Sequence, residues 1–210
     1  MKRRGAIIGI VGSTRSGKTF LSKKLAKHFR AHLLFEDIKL FPPRILEDIR
    51  KNIRSFERVL WFHTDLVDKY LRAEALKAKG KMVVLDTFWL TERPYVDVFL
   101  KGFERSIARK ICALDIKLFE WPDVVIFLKT SEEGVRKFIR RGGRKFDNSE
   151  KYIRTQALPV HRMHDKFFSR SDIARRIMTV DRTHLDFAKE SDFKSLVRKI
   201  ETVLKRKRRR

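Results

Sequence analysis

Short apolar runs alternate along the whole sequence with longer segments in which apolar residues recur at a helical period. The segments at 20–30 and 55–79 carry apolar side chains about 3.6 residues apart, which predicts amphipathic helices. Further helices are expected at 93–119, in two pieces, and over 149–168. The apolar runs have the length of buried strands, and they lie at residues 5–12, 32–37, 82–86, 123–129 and 177–181.

This alternation of strands and helices indicates an α/β fold. Parallel strands need crossover connections, and a right-handed helix after each strand covers both faces of the sheet. We therefore predict a three-layer α/β/α architecture around a central parallel sheet of about five strands. The length of 210 residues fits one domain, which we place at residues 1–204, followed by a basic tail at 205–210.

The net charge of the chain indicates which kinds of molecule it attracts. The formal net charge is +25, and such an excess attracts nucleotides, nucleic acid or acidic surfaces. The tail is entirely basic, which fits either a solvated helix end or a weak nucleic-acid contact. No apolar run approaches the roughly 20 residues of a membrane span, so no membrane partner is predicted. The single cysteine, Cys112, excludes an internal disulfide and fits a reducing, cytoplasmic setting.

A glycine-rich motif lies between the first strand and the first helix. Residues 12–19 fit the pattern G-x-x-x-x-G-K-[ST], the P-loop or Walker A motif, whose backbone N–H groups surround phosphate oxygens. In such a loop the lysine reaches the β- and γ-phosphates, and the hydroxyl after it binds Mg²⁺. The sequence therefore predicts a P-loop NTPase fold that uses ATP and Mg²⁺. The residues expected to bind the nucleotide are Gly12, Ser13, Thr14, Arg15, Ser16, Gly17, Lys18 and Thr19.

Acidic residues end two of the other predicted strands. Ligands of α/β sheets bind at the carboxyl ends of the strands, so Glu36, Asp37 and Asp86 are candidates for the site. A carboxylate near an acceptor hydroxyl can take its proton, and one beside Mg²⁺ helps to neutralise phosphate charge. We assign the base role to Glu36 and the metal role to Asp86, together with Thr19.

Three arginines lie in or beside a glycine-bearing loop after a predicted helix over 131–141. Guanidinium groups stabilise the charge of a transferring phosphoryl group with two parallel hydrogen bonds. A mobile loop of this kind can also close over ATP and exclude water. We therefore predict an Arg-rich lid at about residues 140–150, with Arg140, Arg141 and Arg144 as catalytic residues.

Other side chains give weaker signals. His161 and His164 are three residues apart on a predicted helix, and we expect surface or packing roles for them because no further ligand has a metal-site spacing. A group of aromatic residues is open to two interpretations, stacking on a base or packing in the core. Its members are Trp61, Phe62, Tyr70, Phe88 and Trp89.

Several segments resemble the deoxynucleoside kinases of the P-loop nucleoside/nucleotide kinase superfamily. Residues 121–147 are similar to the family's fourth strand, helix and lid, and residues 56–71 to the helix that lines the nucleoside pocket. The resemblance implies that Glu36 is the base that accepts the proton of the 5′-hydroxyl. The family's Glu-Arg-Ser is replaced by Asp86, Thr87 and Phe88. We expect Arg93, a little further along, to supply the missing arginine from a loop.

Together these features predict an ATP-dependent kinase that phosphorylates the 5′-hydroxyl of a (deoxy)nucleoside. A thymidylate-like nucleoside monophosphate kinase is an alternative, for which Arg44, Arg50, Arg54 and Arg93 would suit the additional phosphate. A nucleic-acid-associated P-loop ATPase or a polynucleotide 5′-kinase is another alternative, motivated by the charge. The resemblance also implies a homodimer.

Overall fold

Five parallel strands form one sheet at the centre of the computed structural model, which describes residues 5–142 and 149–208. The strands are β1 Ala6–Val11, β2 His32–Leu34, β3 Met82–Asp86, β4 Val124–Lys129 and β5 Met178–Asp181. They are arranged in the order β2-β3-β1-β4-β5, and every neighbouring pair is parallel. The prediction of a parallel sheet of about five strands is confirmed.

The register of the sheet fixes what surrounds the glycine-rich loop. Ile10 of β1 pairs with Asp86 on one side, and Val11 pairs with Phe127 of β4 on the other. Because β1 is central, the loop that follows it lies between the carboxyl ends of β3 and β4. Asp86 is thereby placed beside the loop.

Helices connect the strands and cover both faces of the sheet. A π-helical turn over Ile153–Ala157 joins two of them, and single 3₁₀ turns lie at Ile38–Leu40 and Trp89–Thr91. The α-helices are α1 Lys18–Phe29, α2 Pro43–Lys51, α3 Ser55–Ala78, α4 Glu92–Phe99, α5 Gly102–Leu118, α6 Glu132–Gly142, α7 Glu150–Tyr152, α8 Leu158–Phe168, α9 Ser171–Ala174 and α10 Glu190–Arg208.

The alternation of side chains along β1 produces two separate core layers. Ile8 and Ile10 are buried in the layer that contains the apolar residues of α1 and α10. Ile7 and Val11 point to the opposite face, where they join residues of α3 and α8. Helices therefore cover both faces, and the predicted three-layer architecture is confirmed.

Three features differ from the expectations or lie outside the described residues. No helix was predicted between residues 37 and 55, but α2 lies there and begins at Pro43, because proline is well accommodated in the first helical turn. The predicted helix over 149–168 contains the π-helical turn. Most of the predicted lid, including Arg144, lies outside the described residues.

The carboxyl-terminal helix α10 continues into the predicted basic tail and ends at Arg208. Lys205, Arg206 and Lys207 are exposed along it. Within residues 5–142 and 149–208, no helix combines the length and the apolar character that a membrane span requires. The division into a domain at 1–204 and a tail stays a prediction.

Candidate active site

Two glycines shape the loop between β1 and α1. Gly12 has a φ of 154° and Gly17 a φ of 92°, a backbone conformation that residues with a side chain rarely adopt. A Cβ at Gly17 would lie only 1.9 Å from Nη1 of Arg182, so a side chain there would displace this guanidinium. The backbone conformation requires both glycines, and at Gly17 a side chain would also disturb Arg182.

The amino end of α1 is open to an anion. Gly17 is its N-cap and has no side chain that can accept from the first amides, and the first turn contains no acidic residue. Such amides carry the positive end of the helix dipole. Lys18 lies across the loop, where its Nζ donates to the carbonyl oxygens of Gly12 and Ser13, both at 3.0 Å. The arrangement concentrates positive charge where a phosphate group can bind.

Thr19 and Asp86 form a pair of oxygen donors beside this loop. The Thr19 hydroxyl donates to Oδ2 of Asp86 at 2.5 Å. The other carboxylate oxygen, Oδ1, is buried and has no hydrogen-bond partner among the described residues. A hydroxyl and a carboxylate with an unused oxygen suit Mg²⁺, which prefers oxygen ligands and takes the rest from phosphates and water. The described residues contain no cluster of three or more acidic, histidine or cysteine ligands, so the chain supplies only part of such a site.

A cavity of about 690 Å³ extends from the loop into the space between α3 and α4. It brings together the predicted residues Lys18, Thr19, Glu36, Asp86 and Arg141. Thr14, Arg15 and Gly17 also line it, whereas Ser13 and Ser16 are buried beneath the loop. Residues far apart in the sequence complete its wall, namely Phe20, Phe41, Ile49, Arg58, Val59, Phe62, Leu66, Thr87, Thr91, Glu92, Tyr95, Phe99, Phe138, Tyr152 and Gln156.

Two predicted arginines do not line this cavity. Arg93 belongs to α4 rather than to a loop, and its Nε donates to Asp97 at 3.1 Å. The expectation that Arg93 replaces the missing family arginine is therefore not supported by its position. Arg140 is exposed near the end of α6, with its Nη2 3.8 Å from Glu150. Within the cavity the guanidinium groups come instead from Arg15, Arg58 and Arg141.

Arg58 was missed by the sequence analysis. It is buried, its Nη1 donates to the backbone oxygen of Asp48 at 3.0 Å, and its guanidinium lies 4.9 Å from the ring centroid of Phe99. Burial lowers the pKa of Arg58 from its ordinary value. Nothing in the local sequence distinguishes this arginine from the many others, because its position depends on the packing of α2 against α3.

Tyr95 and the histidines also approach the loop. The Tyr95 hydroxyl lies 3.2 Å from the hydroxyl of Thr14. His161 is buried with Nδ1 3.3 Å from the hydroxyl of Ser13, and His164 packs against the rings of Tyr95 and Phe168. Burial lowers the pKa of His164 to about 3, so its ring is neutral. The expected packing role is confirmed for His164, whereas the contact of His161 with the loop was not foreseen.

The aromatic residues divide between the core and the cavity. Tyr70, Phe88 and Trp89 are buried in the core layer beside α3. Phe62 lines the cavity, and Trp61 packs against Phe62 with ring centroids 5.0 Å apart. Of these five aromatic residues, Phe62 is the one that lines the cavity and could stack on a base.

Glu92 is a buried acid in the cavity wall, only 3% exposed. Burial, together with the negative charge of Glu36, raises the pKa of Glu92 to about 8 from an ordinary value of 4.5. The folded state therefore keeps a proton that the unfolded chain releases above pH 4.5. The neutral acid can donate a hydrogen bond inside the cavity.

This pKa predicts how stability depends on pH. The free energy of unfolding of the wild type should fall as pH rises from about 4.5 to about 8, relative to Glu92→Gln, which cannot ionise. Urea unfolding of both proteins at pH 5, 7 and 9 tests this. The stability difference should grow in favour of the variant towards pH 9, while the exposed control Glu104→Gln should show no such trend. A difference for Glu92→Gln that is the same at all three pH values would contradict the prediction.

Arg182 connects the loop to two other parts of the fold. Its Nη1 donates to the backbone oxygen of Ser16 at 3.0 Å. The guanidinium lies between the rings of Phe138 in α6 and Phe187, 5.0 Å and 5.1 Å from their centroids. Arg182 therefore fixes the backbone of the loop at Ser16, a role that no pattern in the sequence indicates.

Comparisons with known proteins identify the fold. No protein-family model and no curated protein matches the sequence. Among solved structures, the deoxyadenosine kinase of M. mycoides with dCMP and dCDP bound matches with a TM-score of 0.75 and 17% identity, over 93% of this chain and 99% of that protein. The same kinase with dATP bound gives a TM-score of 0.74 at 16% identity, again over 93% and 99%.

A thymidylate kinase from Candida albicans is also similar. It matches with a TM-score of 0.69 and 18% identity, over 95% of this chain and 92% of the enzyme. These matches cover nearly the whole chain, and they agree with the α/β fold around a parallel sheet. The resemblance predicted from the sequence is confirmed at the level of the fold. This chain has the fold of the P-loop nucleoside and nucleotide kinases.

Proposed function

We propose that the protein is an ATP-dependent kinase that transfers the γ-phosphoryl group to the 5′-hydroxyl of a (deoxy)nucleoside. The observation that supports this most directly is that one cavity joins the phosphate-binding loop to the carboxylate of Glu36. Phosphoryl transfer needs both parts in one place, a cradle for the triphosphate and a group that receives the acceptor's proton.

Each residue has a defined task in this reaction. The amides of residues 12–19 and the ammonium of Lys18 hold the β- and γ-phosphates of ATP. The acceptor oxygen bonds to the γ-phosphorus while the bond to the β–γ bridging oxygen breaks, so ADP leaves. Glu36 takes the proton of the hydroxyl. Arg141, which lines the cavity, stabilises the charge of the transferring group, and closure of the predicted lid would add Arg140 and Arg144.

Thr19 and Asp86 would hold Mg²⁺ in this proposal, through the hydroxyl and the unpaired carboxylate oxygen. The ion supplies positive charge that neutralises the β- and γ-phosphate oxygens. The chain's own contribution is to keep these two oxygens next to the loop, at the aligned ends of β1 and β3.

The charges in the acceptor half of the cavity favour a nucleoside over a monophosphate. Glu36 faces this space, and the arginines that would suit a second phosphate lie elsewhere. Arg54 pairs with Asp48, and Arg93 pairs with Asp97. Arg58 lines the cavity, but its guanidinium already donates to the backbone oxygen of Asp48 and lies over the ring of Phe99. An uncharged acceptor with a flat aromatic base fits the aromatic wall better than a dianion does.

An acceptor screen tests the proposal. The protein is incubated with γ-labelled ATP, Mg²⁺ and a panel of nucleosides, nucleoside 5′-monophosphates and oligonucleotides with a free 5′-hydroxyl. Label should appear in nucleoside 5′-monophosphates and should require both ATP and the nucleoside. Label only in diphosphates would establish the monophosphate alternative, and label only in oligonucleotides the polynucleotide alternative.

Arg182 should affect the affinity for ATP through the loop. Replacing it by alanine removes a charged hydrogen bond to Ser16 and should raise the KM for ATP by about tenfold, since such bonds contribute about 1.5–3 kcal/mol. Arg182→Lys should restore part of the loss. Steady-state kinetics with varied ATP measure the change, and kcat should change less than KM.

The control for this prediction is Arg176→Ala. Arg176 also lies over an aromatic ring, 5.0 Å from the centroid of Trp121, but it does not line the cavity. It should leave the KM for ATP unchanged. If both variants raised KM equally, or if Arg182→Ala lowered only the melting temperature, the positioning role would be wrong.

We also propose that the protein forms a homodimer. Phe103, Leu114 and Leu118 of α5 are 80%, 53% and 73% exposed, and their spacing places them along one side of the helix. Exposed apolar stripes of this kind mark interfaces. Light scattering should give about twice the 25.0 kDa mass of the chain, and the double variant Leu114→Glu/Leu118→Glu should be monomeric. A monomeric wild type would contradict this.

A further inference from the structure

A second and larger cavity, of about 1330 Å³, lies at the opposite end of the sheet. It is lined by Gly5 before β1, by Met82 at the start of β3, and by the carboxyl ends of α1, α3 and α10. Parallel strands all run in one direction, so their amino ends lie on the side of the sheet away from the phosphate-binding loop. The cavity is therefore spatially separate from the candidate active site.

The side chains around this cavity are predominantly basic. Its only acidic lining residue among the described ones is Glu201. Lys77 pairs with Asp123 at 2.9 Å, whereas four other cations form no ion pair with any described residue. The basic lining residues are His28, Arg30, Lys77, Lys79, Lys81 and Lys205.

Helix dipoles explain only part of this charge. Each carboxyl end of a helix carries about half a negative charge, so the three helix ends that meet here carry about one and a half. Glu201 adds one negative charge, whereas Arg30, Lys79, Lys81 and Lys205 carry four positive charges, so a net positive charge remains. A concave site lined by one sign of charge concentrates the field and attracts a polyanion.

The shape and chemistry of the cavity narrow the class of polyanion. A lipid bilayer is flat and cannot reach charges that line a recess. Most of the cations are lysines on several different elements, which act as separate point charges along a path rather than as a fork around one phosphate. Phosphates repeated along a flexible chain match such an arrangement.

We propose that this cavity binds the sugar-phosphate backbone of nucleic acid. The basic residues Lys205 to Lys207 extend the site along the exposed end of α10. Binding there leaves the cavity at the carboxyl ends of the strands accessible to small substrates. The proposal is independent of the proposed kinase reaction, since no residue of the phosphate-binding loop takes part.

The test is binding of a fluorescein-labelled single-stranded RNA of about 20 nucleotides, followed by anisotropy over a range of salt concentrations. The triple variant Lys79→Gln/Lys81→Gln/Lys205→Gln removes three cations from the cavity. The slope of log K against log salt should become less negative by about 2, and binding at 0.1 M salt should weaken about 10²-fold, because each single-strand phosphate contact contributes about 0.7 to the slope.

A matched control removes the same charge elsewhere. Lys101, Lys110 and Lys166 are exposed and lie away from the cavity. Their replacement by glutamine should leave the slope almost unchanged. An equal loss in both triple variants would mean that binding is spread over the basic surface, and it would overturn the proposal, as would the absence of RNA binding by the wild type.

Two further measurements complete the test. Vesicles with anionic phospholipid should not displace the RNA, and displacement that depends on the same three lysines would contradict the proposal. Nucleoside phosphorylation by the triple variant should match the wild type, which also verifies that it folds. If the triple variant does not fold, Lys79→Gln alone should still reduce the slope by about 0.7, and an unchanged slope would again overturn the proposal.

Discussion

Replacing Glu36 by glutamine should lower kcat for nucleoside phosphorylation by about 10²- to 10⁴-fold, the range that a general base contributes. Glutamine keeps the size of the side chain and its ability to hydrogen-bond, but it cannot receive the proton of the 5′-hydroxyl. The KM for the nucleoside should therefore change little. Initial rates with saturating ATP and varied nucleoside separate the two constants.

The neighbouring acid supplies the control for this variant. Asp37 does not line the cavity, and its side chain accepts from the backbone N–H of Lys39 at 3.0 Å. Asp37→Asn preserves that contact and should leave kcat within about twofold of the wild type. Equal effects of the two substitutions, or a Glu36→Gln enzyme with wild-type kcat, would remove Glu36 from the mechanism.

Replacing Lys18 by alanine should lower kcat/KM for ATP by at least about 10²- to 10³-fold, the loss seen when one preorganised donor to a developing charge is removed. The ammonium lies across the loop next to α1, 3.0 Å from two loop carbonyl oxygens. Steady-state kinetics and a nucleotide-binding assay together measure the loss.

Lys27 is the matched control on the same helix. It is exposed in the last turn of α1 and far from the loop, so Lys27→Ala should keep both kcat and KM. If Lys18→Ala retained its turnover, the loop would not hold the triphosphate in the proposed way.

The fold could be predicted from the sequence because its signals are local. Each buried strand is a continuous apolar run, and the long helix α3 carries its apolar residues at a strict helical period. Helix α2 was missed, although it begins at Pro43 and proline fits the first helical turn. The pattern of apolar residues does not distinguish the π-helical turn over Ile153–Ala157 from an α-helix.

The candidate site could be predicted only where it depends on contiguous residues or on strand ends. The loop is a single motif, and Glu36 and Asp86 follow from the rule that ligands bind at the carboxyl ends of parallel strands. Arg58 and Gln156 enter the cavity through the packing of distant helices, which no local pattern encodes. Arg93 is the opposite case. Its place in the sequence suggested a site residue, but in the structure it forms an ion pair with Asp97 and does not line the cavity.

A crystal structure with Mg²⁺, a non-hydrolysable ATP analogue and the best nucleoside from the acceptor screen tests the central claim most directly. The account predicts that the triphosphate lies in the amides of residues 12–19, with the 5′-oxygen of the nucleoside within about 3.2 Å of a Glu36 carboxylate oxygen. A triphosphate bound outside this loop, or a 5′-oxygen that no carboxylate of the cavity approaches, would contradict it.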